Sequence, residues 1–405
     1  MEQRKPNILF YRITQLVSWL FSRLIFRCKY LRNEIRHAKG PFVVIANHQA
    51  AYDFVNLFCA RWKPMNFVIS NSFYSSLPLK GFMDRLGVIP KQQFQTTVKD
   101  LKRIKVCIDA GRSVVIYPAG LMCEDGLSTP IPAATYKLLK WLDVDVYMAR
   151  TAGTYFVMPK WTSGFRPGKT TMDIYKLFSK EELHSLSKEE LREQTNAVLQ
   201  FDAYREQEQL QVAYANGQNI SGLEHVLYKC PNCGREFTIQ VRDKHTLFCT
   251  NCGFAQQSDK LGFLHKVSET GTQLRYVSDW SRYIYNTTKE AVQAGADMTL
   301  SCQTAFHMID PKKDRFMEVG SGTITLSDKG FVLEGTIHGE PVQLQISMGS
   351  FASLPFSPGK YIEVQHGMDI YRCVLEDGRL AMKFINLVKI FYELALQKEK
   401  TPVNC

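Results

Sequence analysis

Two pairs of cysteines, Cys230-Pro231-Asn232-Cys233 and Cys249-Thr250-Asn251-Cys252, constrain what this chain can fold into more than any other feature. Two residues separate the members of each pair, and fifteen separate the pairs. That is the spacing of a four-thiolate zinc site. Each pair can form a tight knuckle that points two sulfurs at one tetrahedral ion. Gly234 and Gly253 follow the second cysteine of each knuckle, where a sharp turn favours a positive φ. The competing readings are two disulfides or four unrelated core thiols; the matched spacing on both sides favours zinc. A closed four-cysteine site is structural in kind, so it divides the chain without naming its function.

The chain has 405 residues, enough for two or three domains, and 11 cysteines. Those outside the paired motifs, Cys28, Cys59, Cys107, Cys123, Cys302, Cys373 and Cys405, are odd in number and scattered. They do not form a disulfide framework, and a reducing, cytoplasmic compartment is expected. The net charge of +11 is unevenly placed: residues 1–40 carry nine Lys or Arg against two Glu, a net of +7. Such an excess attracts nucleic acid or acidic lipid. The neighbours Ile8, Leu9, Phe10, Ile13, Leu16, Val17, Trp19, Leu20, Phe21, Leu24, Ile25 and Phe26 favour lipid. Arg12 and Arg23 interrupt the apolar stretch, which argues against a spanning helix and against a secretory signal. We expect residues 1–40 to hold a basic amphipathic helix at the cytoplasmic face of a membrane with anionic lipid. The alternative is a helix packed on the protein's own core.

From residue 41 the pattern alternates. Phe42–Ala46, Asn66–Ser70, Ser113–Tyr117 and Val144–Ala149 read as buried strands, with helices over about 96–110 and 133–142. This predicts an α/β domain with a mostly parallel sheet, whose site gathers at the carboxyl ends of its strands. Residues 180–212 read as helical, with capping boxes at Ser179/Glu182 and Ser187/Glu190. Residues 213–222 are polar and contain Asn216-Gly217, a linker signal. The expected zinc ribbon spans 223–260, and residues 263–290 give no clear pattern. Short alternating runs after 315 and an amphipathic helix over about 382–397 predict a small β-rich domain closed by a helix, of pleckstrin-homology type. The expected domains are thus 1–40, 41–215, 223–260 and 263–405.

The first strand runs into Asn47-His48-Gln49-Ala50-Ala51-Tyr52-Asp53. A histidine just past a strand's carboxyl end, with a carboxylate five residues on, can act as a general base oriented by that carboxylate. Five residues turn a helix by about 500°, so a loop must bring the two together. The motif resembles the first block of the glycerolipid acyltransferase family, which includes the 1-acylglycerol-3-phosphate acyltransferases. The segment from Leu77 to Pro90 resembles the second block, and Ile116-Tyr117-Pro118-Ala119-Gly120 resembles the third.

The resemblance, over about residues 41–160, implies a peripheral membrane enzyme. It would move an acyl group from a thioester, on coenzyme A or acyl carrier protein, to the hydroxyl of a lysophospholipid such as lysophosphatidic acid. It implies His48 as the base and Asp53 as its partner, with Asn47, Tyr117, Pro118 and Gly120 around the substrate. The chain departs from the family at two places. Ala119 stands where the third block has glutamate, with Glu124 as a candidate substitute. The second-block arginine falls on Gln93, so Lys91 or Arg85 would supply the charge. Arg150, at the end of the fourth strand, is a candidate phosphate contact. Two rival expectations remain: an inactive lipid-binding protein on the same fold, and a zinc-ribbon regulator of nucleic acid. Between Cys233 and Cys249 the net charge is only +1, with no basic stripe, so no nucleic acid partner is expected.

Overall fold

The computed structural model describes residues 4–76, 80–92, 97–313, 315–348 and 352–400, and the side chains of 75–76 and 398–400 are outside that description. Leu77–Leu79 of the second sequence block, and Gln93, therefore lie outside the described residues. The chain divides into two compact units, residues 1–217 and 218–405.

The first unit opens with α1 (Ile8–Phe21), capped by Asn7, whose side chain accepts a hydrogen bond from the Phe10 amide. One π turn, Ser22–Phe26, ends it at Arg27, which adopts a left-handed φ of 43°. The chain then enters β1 (Cys28–Asn33), β2 (Val43–Ala46), α2 (Asp53–Cys59), β3 (Asn66–Ser70), α3 (Asn71–Ser76), α4 (Lys80–Arg85) and β4 (Ile89–Lys91). Next come α5 (Val98–Asp109), β5 (Val114–Ile116), α6 (Ala134–Leu142), β6 (Val146–Ala152), α7 (Thr154–Val157) and β7 (Thr170–Phe178). Three helices, α8 (Lys180–Ser185), α9 (Lys188–Leu199) and α10 (Ala203–Leu210), complete the unit.

The seven strands are ordered β1-β7-β6-β2-β5-β3-β4. Every pairing is parallel except β6 with β7. β2 is central, and all four of its residues are buried, as a continuous apolar run in a parallel sheet should be. Val43, Val114 and Val146 stand side by side in register on β2, β5 and β6. Ile104 and Ile108 of α5 and Leu139 and Leu142 of α6 cover them. The two capping boxes expected at Ser179 and Ser187 are present, and Thr97 with Asp100 forms a third.

Two expectations need correcting. The N-terminal region is not helical throughout, because residues 28–33 are the edge strand β1, hydrogen-bonded to β7. Residues 180–212 are three helices, because the backbone is extended at Leu186 and Ser187 and again at Gln200 and Asp202.

The second unit starts with an antiparallel sheet of β8 (Ile239–Arg242), β9 (Thr246–Cys249), β10 (Ala255–Ser258) and β11 (Leu264–Lys266). α11 (Val277–Gln293) follows, in the region that gave no clear pattern. Then come β12 (Leu300–Asp310), β13 (Arg315–Ser327), β14 (Gly330–Ile337), β15 (Glu340–Ser347), β16 (Phe356–Ser357), β17 (Tyr361–His366), β18 (Asp369–Leu375) and α12 (Leu380–Lys400). The last seven strands form one antiparallel sheet, β15-β14-β13-β12-β18-β17-β16, closed by α12. The β-rich part begins at Leu300, earlier than the sequence pattern suggests. Phe384, Leu387 and Ile390, three of the expected apolar residues of α12, are fully buried.

The cysteine-bearing sheet and the β-rich sheet are not separate modules. Trp280 of α11, fully buried, donates from its indole nitrogen to the Lys229 carbonyl at 2.8 Å. Lys383 of α12 pairs with Glu236 at 2.6 Å. α11 and α12 thus hold both sides of the first knuckle.

Candidate active site

β2 and its parallel neighbour β5 end together, with Ile45 opposite Ile116, so the segments after β2 and β5 emerge side by side, while β6 runs on to Ala152. Asn47 terminates β2. Both ends of its amide are engaged by Thr151 of β6: Nδ2 donates to the Thr151 carbonyl and Oδ1 accepts from its amide, each at 2.8 Å. Asn47 is 3% exposed, and these bonds fix the direction in which the chain leaves the sheet.

The chain then turns through residues 49–52 and enters α2 at Asp53. That turn brings His48 and Asp53 together, as the motif requires: His48 Nδ1 lies 3.2 Å from Asp53 Oδ2. The same carboxylate oxygen accepts the amides of Gln49 at 2.6 Å and Ala50 at 2.9 Å. Asp53 is 1% exposed, and its charge sits in the first turn of α2, where the helix dipole favours an anion. Its other oxygen is buried and has no hydrogen-bond partner among the described residues. With the proton on Nδ1, directed at Asp53, the imidazole leaves Nε2 as an acceptor. The His48 side chain is 19% exposed, so it remains accessible.

Tyr117, just past β5, packs its ring on the imidazole with centroids 4.6 Å apart. Burial, reinforced by the charge of Asp53, raises the Tyr117 phenol well above its ordinary range, so it stays protonated. Residues 117–120 form a turn closed by the Gly120 amide on the Tyr117 carbonyl at 3.0 Å, with Pro118 buried and Gly120 at φ 67°.

A pocket opens beside His48, lined by Asn47, Ala119, Ser128, Thr129, Leu199 and Phe201 among others. Ala119 therefore lines the same pocket as His48, at the position where the sequence resemblance leads one to expect a carboxylate. Ser128 and Phe201 sit on walls joined to each other: the Ser128 amide donates to the Phe201 carbonyl at 3.1 Å, and the Ala203 amide to the Gly126 carbonyl at 2.8 Å. The wall at 199–201 was not anticipated. Its sequence signal is faint, namely Asp202, which caps α10 through the amides of Tyr204 and Arg205.

The other expected contacts are placed elsewhere. Arg85 is exposed at the end of α4 and donates to the Gly81 carbonyl at 3.2 Å. Lys91, on β4, donates to the Gln92 carbonyl at 3.2 Å, and burial lowers its pKa against the opposing pull of Asp100. Glu124 is 4% exposed and, like Arg85, Lys91 and Arg150, is absent from the lining of the His48 pocket. Arg150 pairs with Glu206 at 2.6 Å and donates to the carbonyls of Val198 and Gln200.

Cys123 bears on the chemistry. Its thiol donates to the Gln49 carbonyl at 3.3 Å. Burial, with the charges of Asp125, Glu124 and Asp53, pushes its pKa well above the ordinary thiol value. A thiol held neutral in this way is a poor nucleophile.

The paired cysteines form a second candidate site. The four sulfurs lie within 4.8 Å of one another, with Cys230 and Cys252 at 3.7 Å and Cys233 and Cys249 at 3.8 Å. A tetrahedral ion with metal–sulfur bonds of about 2.3 Å requires sulfurs about 3.8 Å apart. The knuckles support each other reciprocally. Asn232 donates to the Cys252 sulfur at 3.4 Å, and Asn251 to the Cys233 sulfur at 3.5 Å. Gly234 and Gly253 have φ of 72° and 74°, as expected for the turns.

Residues 27–161 match the model of the family described as Acyltransferase. The match includes β1, which the sequence reading placed outside the domain. No curated protein matches the chain. Among solved structures, the 1-acyl-sn-glycerophosphate (LPA) acyltransferase of Thermotoga maritima is similar over 50% of this chain and 79% of that one, at 20% identity and a TM-score of 0.42.

Proposed function

From the premise that this chain is an enzyme with an acyltransferase-family domain at residues 27–161, we propose that it acylates a lysophospholipid hydroxyl from an acyl thioester, with His48 as general base. The observation that carries the reading is the His48–Asp53 pair at the carboxyl end of β2, beside an open pocket. Nε2 takes the proton of the acceptor hydroxyl as its oxygen attacks the thioester carbonyl carbon. The Asp53 carboxylate stabilises the imidazolium that forms. The tetrahedral intermediate then collapses, the carbon–sulfur bond breaks, and the leaving thiolate takes the proton back from His48. Coenzyme A and acyl carrier protein are both candidate carriers of the acyl group. Purified protein given labelled palmitoyl-coenzyme A or palmitoyl-acyl carrier protein and a panel of lysophospholipids should yield labelled diacyl phospholipid. Failure with both donors and every acceptor would leave the inactive lipid-binding alternative, for which Ala119 is the motive.

The enzyme works from a membrane surface in this reading, on the cytoplasmic side. Among the described residues no helix is long and apolar enough to cross a membrane. α1 instead buries one side and leaves the other open. Tyr11 is fully buried, and Gln15 donates to the carbonyls of Phe58 and Arg61 at 3.0 and 2.8 Å. Leu9, Ile13, Leu16, Leu20 and Leu24 recur at helical spacing and are 53–73% exposed. Arg23, Arg27 and Lys29 are exposed nearby, whereas Arg4 and Arg32 are held by Asp84 and Asp173. An apolar ridge with cations beside it suits an anionic lipid surface. Leu16→Glu with Leu20→Glu should weaken binding to phosphatidylserine-containing vesicles about tenfold per leucine, each being worth about 1.5 kcal/mol or more when buried. Both side chains are exposed, so the melting temperature should hold. Unchanged flotation with such vesicles would move the contact elsewhere.

In the second unit we assign one structural zinc ion to Cys230, Cys233, Cys249 and Cys252, whose separations fit it. The zinc would hold the two knuckles together and would take no part in acyl transfer. The seven-stranded sheet closed by α12 we read as a pleckstrin-homology-like fold.

A further inference from the structure

Glu206 lies on α10, outside the segment that matches the family model. It reaches the reaction centre by two routes. Its Oε2 accepts the side-chain amide of Gln49 at 2.9 Å, and its Oε1 pairs with Arg150 at 2.6 Å. Gln49 stands next to the base in the chain and is fully buried. Its side-chain oxygen accepts from Thr154 at 3.2 Å and from the Tyr155 amide at 3.3 Å, so the orientation of its amide is fixed at both ends. Its backbone amide makes the 2.6 Å bond to Asp53 Oδ2, the oxygen that also faces His48. A shift of Gln49 therefore moves the carboxylate that orients the base.

The second route ends on the substrate side. Arg150 Nη1 donates to the carbonyls of Val198 at 2.8 Å and Gln200 at 3.1 Å. Leu199, between them, and Phe201, just beyond, line the pocket beside His48. Glu206 thus holds the cation that holds this wall. Burial raises the Glu206 pKa and Arg150 opposes that shift, as expected for a carboxylate taken from water to serve partners inside the domain.

We propose that Glu206 is a positioning residue for acyl transfer, setting the His48–Asp53 geometry through Gln49 and the pocket wall at 198–201 through Arg150. The inference rests on the acyltransferase reading above and extends it to a residue beyond the catalytic motifs. The two routes make separable predictions. Glu206→Gln keeps an oxygen for Gln49 and loses the charge opposite Arg150. Its kcat should stay within about threefold of wild type, while KM for the lysophospholipid rises several-fold. Glu206→Ala loses both contacts, and kcat should also fall, up to about 100-fold, the cost of a displacement of about 1 Å in a catalytic group. Arg150→Met should reproduce the KM effect with little change in kcat, since Glu206 still accepts from Gln49.

The test is steady-state acyl transfer from palmitoyl-coenzyme A to lysophosphatidic acid by the full chain and the three variants, with melting temperatures measured alongside. A merely structural role would lower the active fraction of every variant without splitting kcat from KM. Wild-type kinetics in Glu206→Ala would overturn the inference and leave the acyltransferase reading intact. So would equal kcat losses in Glu206→Gln and Glu206→Ala. No transfer by the wild-type protein from palmitoyl-coenzyme A or palmitoyl-acyl carrier protein to any lysophospholipid would overturn that reading, and the inference with it.

Discussion

His48→Ala is expected to lower acyl transfer by roughly 100- to 10,000-fold, the range that general-base catalysis contributes. Without the imidazole the acceptor hydroxyl remains protonated and is a poor nucleophile toward a thioester. Neither Tyr117 nor Cys123 can take over. Tyr117 is held protonated by burial and by Asp53, and the Cys123 thiol is held neutral and already donates to the Gln49 carbonyl. The fold should survive, because the His48 side chain is partly exposed and its bond to Asp53 is only one of three at that oxygen. Asp53→Asn separates charge from geometry. An amide oxygen in the same place can still accept from Gln49 and Ala50, so the turn persists while the anion that stabilises the imidazolium is lost. Its activity should fall between those of wild type and His48→Ala. The check is steady-state transfer to the best lysophospholipid acceptor, with circular dichroism as control. Wild-type turnover in His48→Ala would refute the mechanism.

The other large effect concerns the cysteines. Cys233→Ser should abolish metal binding, taking the purified protein from about one zinc per chain to near none. A structural zinc site contributes an apparent ~10–16 kcal/mol, comparable to or greater than the whole stability of an ordinary domain at ~5–15 kcal/mol. The knuckles should therefore come apart. The damage should also spread, because the first knuckle is held by α11 and α12: Trp280 bonds to Lys229, Lys383 pairs with Glu236, and Asn386 donates to the Tyr228 hydroxyl at 3.3 Å. Limited proteolysis should cut residues 218–405 in the variant under conditions that spare the wild type. Zinc-free wild type, purified without chelator and fully protease-resistant, would show that the four sulfurs hold no structural metal.

What the sequence disclosed depended on how local each signal was. The capping boxes at Ser179 and Ser187 were legible because cap and partner lie three residues apart. The strands β2, β3 and β5 were legible as unbroken apolar runs in a parallel sheet, although β3, expected to be buried, is only half-buried from Val68 to Ser70. β1 and β7 were not. Cys28–Asn33 is an edge strand with two of its six side chains charged, and it is completed only by partners about 140 residues away. The pairing of His48 with Asp53 followed from the motif, but its means did not. The turn works because Asp53 gathers two backbone amides as well as the imidazole on one oxygen. Arg150 shows the limit most clearly. A cation at a strand's carboxyl end reads as a phosphate contact, yet Glu206, 56 residues later, takes it into the domain's own framework. No local pattern marks that partner.

The polar side of α1 has a mechanical consequence. Gln15 bonds to the carbonyls of Phe58 and Arg61 at the far end of α2, and the Ser22 hydroxyl donates to Asn56 within it. The first residue of α2 is Asp53. The helix whose leucine ridge would rest among lipid tails is therefore pinned to the helix that begins with Asp53, the proposed partner of the base. In the proposed membrane-surface reading, insertion depth would set the altitude of the imidazole above the bilayer plane, as a keel fixes the waterline of a hull. A lysolipid substrate would then have to present its hydroxyl at that height, so leaflet thickness and headgroup packing would become selectors of substrate without touching the pocket.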